Sequence, residues 1–343
     1  MPHDQDRVTI YHVAHEAGVA ISTVSRVINS SSEVSEATRT RVQAAIEKLR
    51  FQPQRTAKTL AKQEAHSLAV AMPSTTSLFY VEILKGVKDG LRDRDIDLLL
   101  CNLGSTAPYQ TLLRFLERGA VDALLVASLP VDEQLERELS KIHAPVLLVG
   151  SRHRLFDSIY FDDVAGAKLA TAHLIQQGHE QIGMITAHSW SYTNELRIQG
   201  YRLALAEAGM PFRPDLLAAG DTRKHAGFSE EAGAEAIHKL LALPNPPTGV
   251  FVSSDVQAFG AWAAIRDANK HVPRDIALIA YDNLKLSRFL DLSTIDQHMY
   301  SVGRRAAERL LERINHRTEE RIDELIAPEL VVRRSSSRPR IRR

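Results

Sequence analysis

From residue 67 onward, short apolar runs alternate with amphipathic stretches: SLAVAMP, DLLLCN, DALLVAS and PVLLVG, then IGMITA, GVFVSS and ALIAYD, each followed by a helix-like segment. Continuous apolar runs of this length, spaced by helices, are the pattern of parallel strands buried on both faces. Ligands bind such sheets just beyond the carboxyl ends of the strands. The residues closing each run are therefore expected to line a cleft: Ser74, Asn102, Ser128, Ser151, His188, Ser254, Asp255, Asp282 and Asn283. The runs fall into two groups broken near SIYFDDVAGAK, which predicts two sheets with the cleft between them.

The first fifty residues keep a different period. Ile10, Val13, Ala14 and Ala17 recur at i, i+3, i+4 and i+7, one face of a helix that Gly18 should end. A second short helix turns Val24, Val27 and Ile28 inward, with Ser22 or a neighbour as its cap, and a third runs from Ser35 through Val42, Ala45, Ile46 and Leu49. Ile21, Ser22, Ser25 and Arg26 cannot share the inner face of the second helix, so they point outward. Such a face suits a major groove, where an arginine reaches guanine O6 and N7, serines reach bases or phosphates, and an isoleucine meets a thymine methyl. The residues alone leave a plain three-helix bundle with a solvated face equally open.

Composition narrows the picture. A 343-residue chain with 44% hydrophobic and 25% charged residues is an ordinary globular protein of two or three compact units. No apolar run nears the roughly 20 residues needed to span a bilayer, and the start MPHDQDRVTIYHV lacks a signal-peptide layout, so a cytoplasmic protein with no membrane partner is expected. Cys101 is the sole cysteine, which excludes an internal disulfide and a multi-thiolate zinc site. Charge is unevenly spread: residues 1–62 carry nine Lys/Arg against six Asp/Glu, and 333–343 carry six Arg and no acid, in a chain of net charge +1. Basic ends on an acidic body suit a polyanion partner, although the tail reads equally as a solvated end.

The stretch VTIYHVAHEAGVAISTVSRVINSSSEVSEATRTRVQAAIEKLRFQPQRTAKTLAKQ resembles the head of LacI/GalR-family transcriptional regulators nearly position by position, and the resemblance continues to about residue 333. It implies an all-α helix-turn-helix head joined to an α/β periplasmic-binding-protein-like body of two parallel-sheet subdomains. The implied boundaries are 1–52 for the head, 53–66 for a hinge helix, 67–162 with 297–322 for the first body subdomain, 163–296 with 323–333 for the second, and 334–343 for a basic tail. The chain would cross between subdomains near 162, 291–297 and 322–328. On this resemblance Ile21, Ser22 and Arg26 occupy base-reading positions, and Thr9, Tyr11, Thr23, Ser25, Asn29, Arg55 and Lys58 complete the DNA-facing set. The segment QRTAKTLAKQ is too short to be a stable helix alone. The family pairs this helix with its dimer mate in the minor groove, with Leu60 as the wedge between base steps; without the resemblance, Leu60 reads as packing on the first strand. Gln54 and Arg50 depart from the family, which has asparagine at the first and glycine or asparagine at the second.

In the body, Arg197 in NELRIQGYR matches the arginine that bonds an effector's polar groups, and Asp282 in IAYDN matches the acid facing it. Asp255 aligns with the aspartate of a usual Asn-Asp pair whose asparagine is replaced by Ser254, and Gly150 stands where some members place a ligand-binding aspartate. Phe79 and Trp190 offer aromatic faces for a ring. The 14 histidines show no metal spacing, no glycine-rich phosphate loop follows a strand, and no Ser-His-Asp or Cys-His arrangement is present, so neither an enzyme nor a cofactor or metal site is expected. The expectation is a ligand-responsive repressor binding a palindromic double-stranded operator as a homodimer, controlled by a small sugar or sugar derivative. The alternatives are a nucleoside or other non-sugar effector, or a cleft without ligand.

Overall fold

The computed structural model describes residues 8–28, 31, 33–49, 51, 67–104, 106–118, 121–188, 192–315, 318 and 320–337. The chain divides into two units, residues 1–66 and 67–343. In the first, α1 (Ile10–Ala17), α2 (Ile21–Ile28) and α3 (Glu36–Lys48) enclose a small core of Val13, Ala14, Ala17, Val24, Val27, Val42 and Ala45. The i, i+3, i+4 spacing supplies these positions, and α1 ends where expected, at Gly18 with φ +63°. Because α2 starts at Ile21, Ser22 sits inside its first turn, and Ala20 takes the cap position, its carbonyl accepting from the amides of Thr23 and Val24. Lys48 donates to Glu16 at 2.6 Å, tying α3 back to α1.

The second unit holds two six-stranded sheets. The first contains β1 (Ser67–Met72), β2 (Asp97–Asn102), β3 (Ala123–Ala127), β4 (Val146–Val149), β5 (Asp157–Phe161) and β11 (Asp323–Ile326), in the order β11-β5-β4-β3-β1-β2 and wholly parallel. The second contains β6 (Ile182–Thr186), β7 (Leu217–Ala219), β8 (Gly249–Val252), β9 (Ala277–Asp282), β10 (Ser293–Asp296) and β12 (Glu329–Val331), in the order β12-β10-β9-β8-β6-β7, with only the β10–β12 pair antiparallel. Each sheet is covered on both faces. On the first, α4 (Leu78–Gly90) and α12 (Met299–Ile314) bury Ile83, Val87, Val302, Ala306 and Leu310. The opposite face takes Leu112 of α5 (Pro108–Glu117) and Leu135 and Leu139 of α6 (Glu133–Leu139). On the second sheet, α7 (Asp163–Gln176) and α8 (Tyr192–Glu207) pack with Met184, Phe251 and Ile279 on one side. The other side takes α9 (Glu230–Leu241) and α10 (Asp255–Asp267). A short α11 (Lys285–Phe289) follows β9. Double coverage is why the central strands read as unbroken apolar runs.

Helices α4 and α12 come from distant parts of the chain and cross backbone to backbone. A Cβ on Gly86 would run into the Tyr300 carbonyl, and one on Gly303 into that of Ile83. The chain passes between the sheets at Asp162, at 297–298 and at 327–328. One expected boundary shifts as a result: residues 323–326, assigned by sequence to the second subdomain, form β11 and pair with β5 of the first sheet. This edge strand is short and lacks a buried face, so hydrophobic periodicity carried no signal for it. The expected tail also begins later than position 334. Ser335 and Ser336 are buried against the second sheet, where Ser335 Oγ donates to Leu278 O at 2.7 Å and Ser336 Oγ lies 2.7 Å from His173 Nε2. The connector 53–66 and residues 338–343 lie outside the described residues.

Candidate functional site

At the carboxyl end of the second sheet, Arg197 is brought from α8 into a buried setting. Its Nε donates to Asp163 Oδ1 at 2.8 Å, its Nη1 donates to the Ser253 carbonyl, and its guanidinium carbon lies 3.7 Å from the centre of the Tyr281 ring. The Arg197 and Asp163 side chains are 5% and 8% exposed. Burial pushes the Asp163 carboxyl up despite the opposing charge and hydrogen bond of Arg197. A guanidinium is a rigid fork of five N–H donors. Here the protein fixes its plane and leaves Nη2 without a hydrogen bond among the described residues.

Asp282 closes β9 with φ +121°, a conformation side chains rarely adopt, and is 4% exposed. Its Oδ1 accepts from Gln297 Nε2 at 2.7 Å. Burial holds its carboxyl well above the usual carboxylate range, against the pull of the Arg197 charge and with the Asp255 charge adding to the rise. Ser151 Oγ, Ser253 Oγ, Tyr281 Oη and Gln297 Oε1 are among the buried polar atoms with no hydrogen-bond partner among the described residues. Ser253 adjoins Arg197 through its carbonyl, and Gln297 holds Asp282. Buried polar atoms of this kind require partners.

The first sheet supplies the aromatic groups. Phe79 in the first turn of α4 meets Tyr80 edge-on at 5.0 Å and Phe161, the last residue of β5, at 6.0 Å. Tyr80 bonds the Ser128 side chain; burial pushes its phenol up to about 12, and the Asp282 charge adds to the rise. Tyr80, on α4, thus lies within reach of the charge of Asp282 at the end of β9. Gly150 leaves space beside Ser128: its φ is +74°, and a Cβ there would come within 3.1 Å of Ser128 Oγ.

Of the expected effector residues, Arg197 and Asp282 are buried within reach of each other's charge at the end of the second sheet, Phe79 lies in the aromatic cluster beside the first sheet, and Trp190 lies outside the described residues. Ser254 and Asp255, also expected to meet an effector, have their side chains engaged within the fold. The Ser254 hydroxyl caps α10 by accepting from Gln257 N at 3.2 Å. Asp255 is fully buried and accepts from Thr294 Oγ1 at 2.7 Å, Leu284 N at 2.7 Å and Ser287 Oγ at 2.5 Å. Burial pushes its carboxyl to about 6, against these hydrogen bonds and the charge of Arg333. It braces the 282–287 loop instead of facing a ligand. Sequence reasoning missed three groups. Tyr80 could have been found as the second member of an aromatic pair at a helix start. Asp163 had been absorbed into the crossover, and its partner Arg197 lies 34 positions away. Gln297 carries no local signal at all.

In the head, the outward face of α2 is as expected: Ile21 is 40% exposed, Ser22 is exposed, and the Arg26 side chain is 58% exposed and 3.7 Å from Glu33 Oε2. Thr9 and Tyr11 are exposed, and Thr23 and Ser25 are half-buried. Asn29, Arg50, Gln54, Arg55, Lys58 and Leu60 lie outside the described residues.

Known proteins match both units. Residues 9–54 fit the model of bacterial regulatory proteins of the lacI family, and residues 171–336 that of a periplasmic binding protein-like domain. The HTH-type transcriptional repressor PurR of Photobacterium profundum is 33% identical over 333 residues, covering 95% of this chain and 98% of the relative. The chain belongs to the LacI family. Members of this family are DNA-binding transcriptional repressors, and the α/β body is their shared regulatory scaffold. Solved structures agree. The lac repressor dimer bound to operator and the anti-inducer ONPF has TM-score 0.76 and 26% identity, covering 96% of this chain and 99% of the other. The transcriptional regulator CelR–cellobiose complex has TM-score 0.68 and 30% identity, covering 96% and 100%. Among the described residues, no helix is long and apolar enough to cross a membrane.

Proposed function

We propose that this LacI-family repressor binds its operator as a homodimer and that its affinity for DNA is set by a small ring compound held between Arg197 and Asp282. The carrying observation is that pair: a guanidinium locked by Asp163, Ser253 O and Tyr281, with a fork edge left over, beside a buried carboxyl held by Gln297. A carboxyl plus a guanidinium suits a ring edge that carries both donors and acceptors, and the Phe79–Tyr80–Phe161 cluster suits a flat apolar face. A nucleobase-type effector fits both features, and the PurR relatives favour the same class. The second reading is a sugar, favoured by the likeness to the cellobiose-bound CelR structure.

For the dimer, the exposed apolar positions offer two faces. One is the edge strand β2, with Leu99 and Leu100 at 39% and 49% exposure; the other is α11 with its following turn, where Leu286, Phe289 and Leu290 are exposed at 50%, 74% and 38%. Base reading falls to Ile21, Ser22 and Arg26, with Thr9, Tyr11, Thr23 and Ser25 around them.

Calorimetry of the full-length protein with guanine, hypoxanthine, ribose and cellobiose tests the cleft. Heat from a base that disappears in Arg197→Met supports the proposal. Heat only from a sugar transfers the site to the second reading, and heat undiminished by Arg197→Met removes Arg197 from it.

A further inference from the structure

Asn283 directly follows the effector carboxyl of Asp282, yet its own side chain is committed elsewhere. Arg333 Nη2 donates to its Oδ1 at 2.7 Å, and its Nδ2 donates to Asp296 Oδ2 at 2.9 Å. The two neighbours are opposite in character: a guanidinium only donates and an ionised carboxylate only accepts. A carboxamide satisfies both at once. A carboxylate at this position would face Asp296 with like charge, and an ammonium would face Arg333 in the same way.

The first neighbour adjoins a passage between the subdomains, and the second follows the short strand that leads away from another. Asp296 ends β10 just before the 297–298 crossing, and its Oδ1 accepts from His298 N at 2.7 Å. Arg333 follows β12, shortly after the 327–328 crossing. Its amide donates to Ser293 Oγ at 2.8 Å, and its Nη1 donates to Leu292 O at 2.6 Å. Gln297, inside the first of these crossings, donates to Asp282 itself. The backbone between effector carboxyl and carboxamide is left-handed at both residues, φ +121° and +55°, so the direction of the Asp282 side chain depends on what holds Asn283. The aim of the effector group and the course of two crossings thus meet at one carboxamide.

We propose that Asn283 is a coupling residue: through Asp296 and Arg333 it transmits occupancy of the Arg197–Asp282 site to two of the three hinge crossings. This rests on the effector reading above. An effector shifts the balance of two states only by interacting differently with each. The two carboxamide bonds supply such a difference, because changing the angle between the crossings cannot preserve both.

The test compares the full-length wild type with Asn283→Asp and with the double variant Asn283→Asp/Asp296→Asn, using guanine and cellobiose as probes and an operator selected from random duplexes. The readout is the ratio of operator Kd with and without probe, for which roughly 5- to 150-fold is the usual range of coupling. Asn283→Asp is expected to keep binding the probe while the ratio collapses toward one. The double variant has both bonds again, the carboxylate at 283 still accepting from Arg333 and the carboxamide at 296 now donating to it, so that only the 283–296 bond is reversed; the ratio is expected to recover. A residue that merely supports folding would lower the melting temperature and probe affinity together and leave the ratio intact. In the ligand-free protein, hydrogen exchange at the His298 amide, which Asp296 holds, should accelerate in Asn283→Asp and slow again in the double variant. An unchanged ratio in Asn283→Asp, or unchanged exchange at that amide, overturns the proposal. If neither probe gives heat with the wild type, the nucleobase and sugar readings fail, and the exchange arm alone decides the clamp.

Discussion

Arg197→Met keeps most of the stem volume of the arginine and removes its charge, which isolates the electrostatics of the cleft. The variant leaves Asp163 buried with its one guanidinium partner gone, and deprives the Ser253 carbonyl of its donor. Removing one member of a buried pair typically costs about 3–5 kcal/mol. The guanidinium over the Tyr281 ring adds to the loss, a desolvated cation–π contact contributing up to about 2 kcal/mol. The pH dependence identifies the cause. Burial already raises the Asp163 carboxyl, and Arg197 opposes that rise, so removing Arg197 raises it further. A carboxyl whose folded pKa exceeds its unfolded value binds more protons when folded. Its stability contribution is therefore present below the unfolded pKa, about 3.9, and is lost as pH climbs to the folded value. Urea unfolding at pH 5 and pH 7 should show a larger loss relative to wild type at pH 7. The double variant Arg197→Met/Asp163→Asn should recover stability at pH 7, because no buried charge remains unpaired. Equal losses at both pH values, with a double variant no more stable than the single, would refute the reasoning.

Three further outcomes are expected. Arg26→Ala should cost roughly 1–3 kcal/mol at a cognate site and relax one base position, measured by anisotropy on selected and scrambled duplexes; an equal loss on both removes it from base reading. Gly86→Ala should destabilise the body by about 1–3 kcal/mol in urea unfolding, because its methyl meets the Tyr300 carbonyl at the α4–α12 crossing, and an unchanged midpoint would contradict that close approach. Leu100→Asp combined with Phe289→Asp should shift sedimentation from dimer to monomer with the melting curve retained, and an intact dimer would exclude β2 and α11 as its faces.

How far the structure could be read from residues depended on burial. The strands β1 to β4, β6, β8 and β9 were legible as continuous apolar runs and the head helices because one face of each is apolar, whereas β5 (DSIYF) and β10 (STID), inside their sheets, carry polar residues and gave no such run. The shortest edge strands were not legible either: β7, β11 and β12 are three or four residues long, and β11 has no buried residue, so its membership of the first sheet follows from hydrogen bonds to β5 and not from its own composition. At the site, Arg197 and Asp282 were marked by their local motifs. Asp163 and Gln297 were invisible, since each matters only through a partner brought close by the fold, Asp163 beside Arg197 and Gln297 beside Asp282. Asp255 shows the reverse. A local motif marked it as well, but three donors from the 284–294 segment claim its oxygens, and no pattern in the chain announces them.

Sequencing of random duplexes retained by the purified protein, with and without guanine at fixed salt, tests the central claim most directly, since phosphate contacts make affinity depend on ionic strength. The expected result is a palindrome whose half-sites lie about one helical turn apart and whose recovery changes when guanine is added. Retention without any common motif, in both pools, would contradict it.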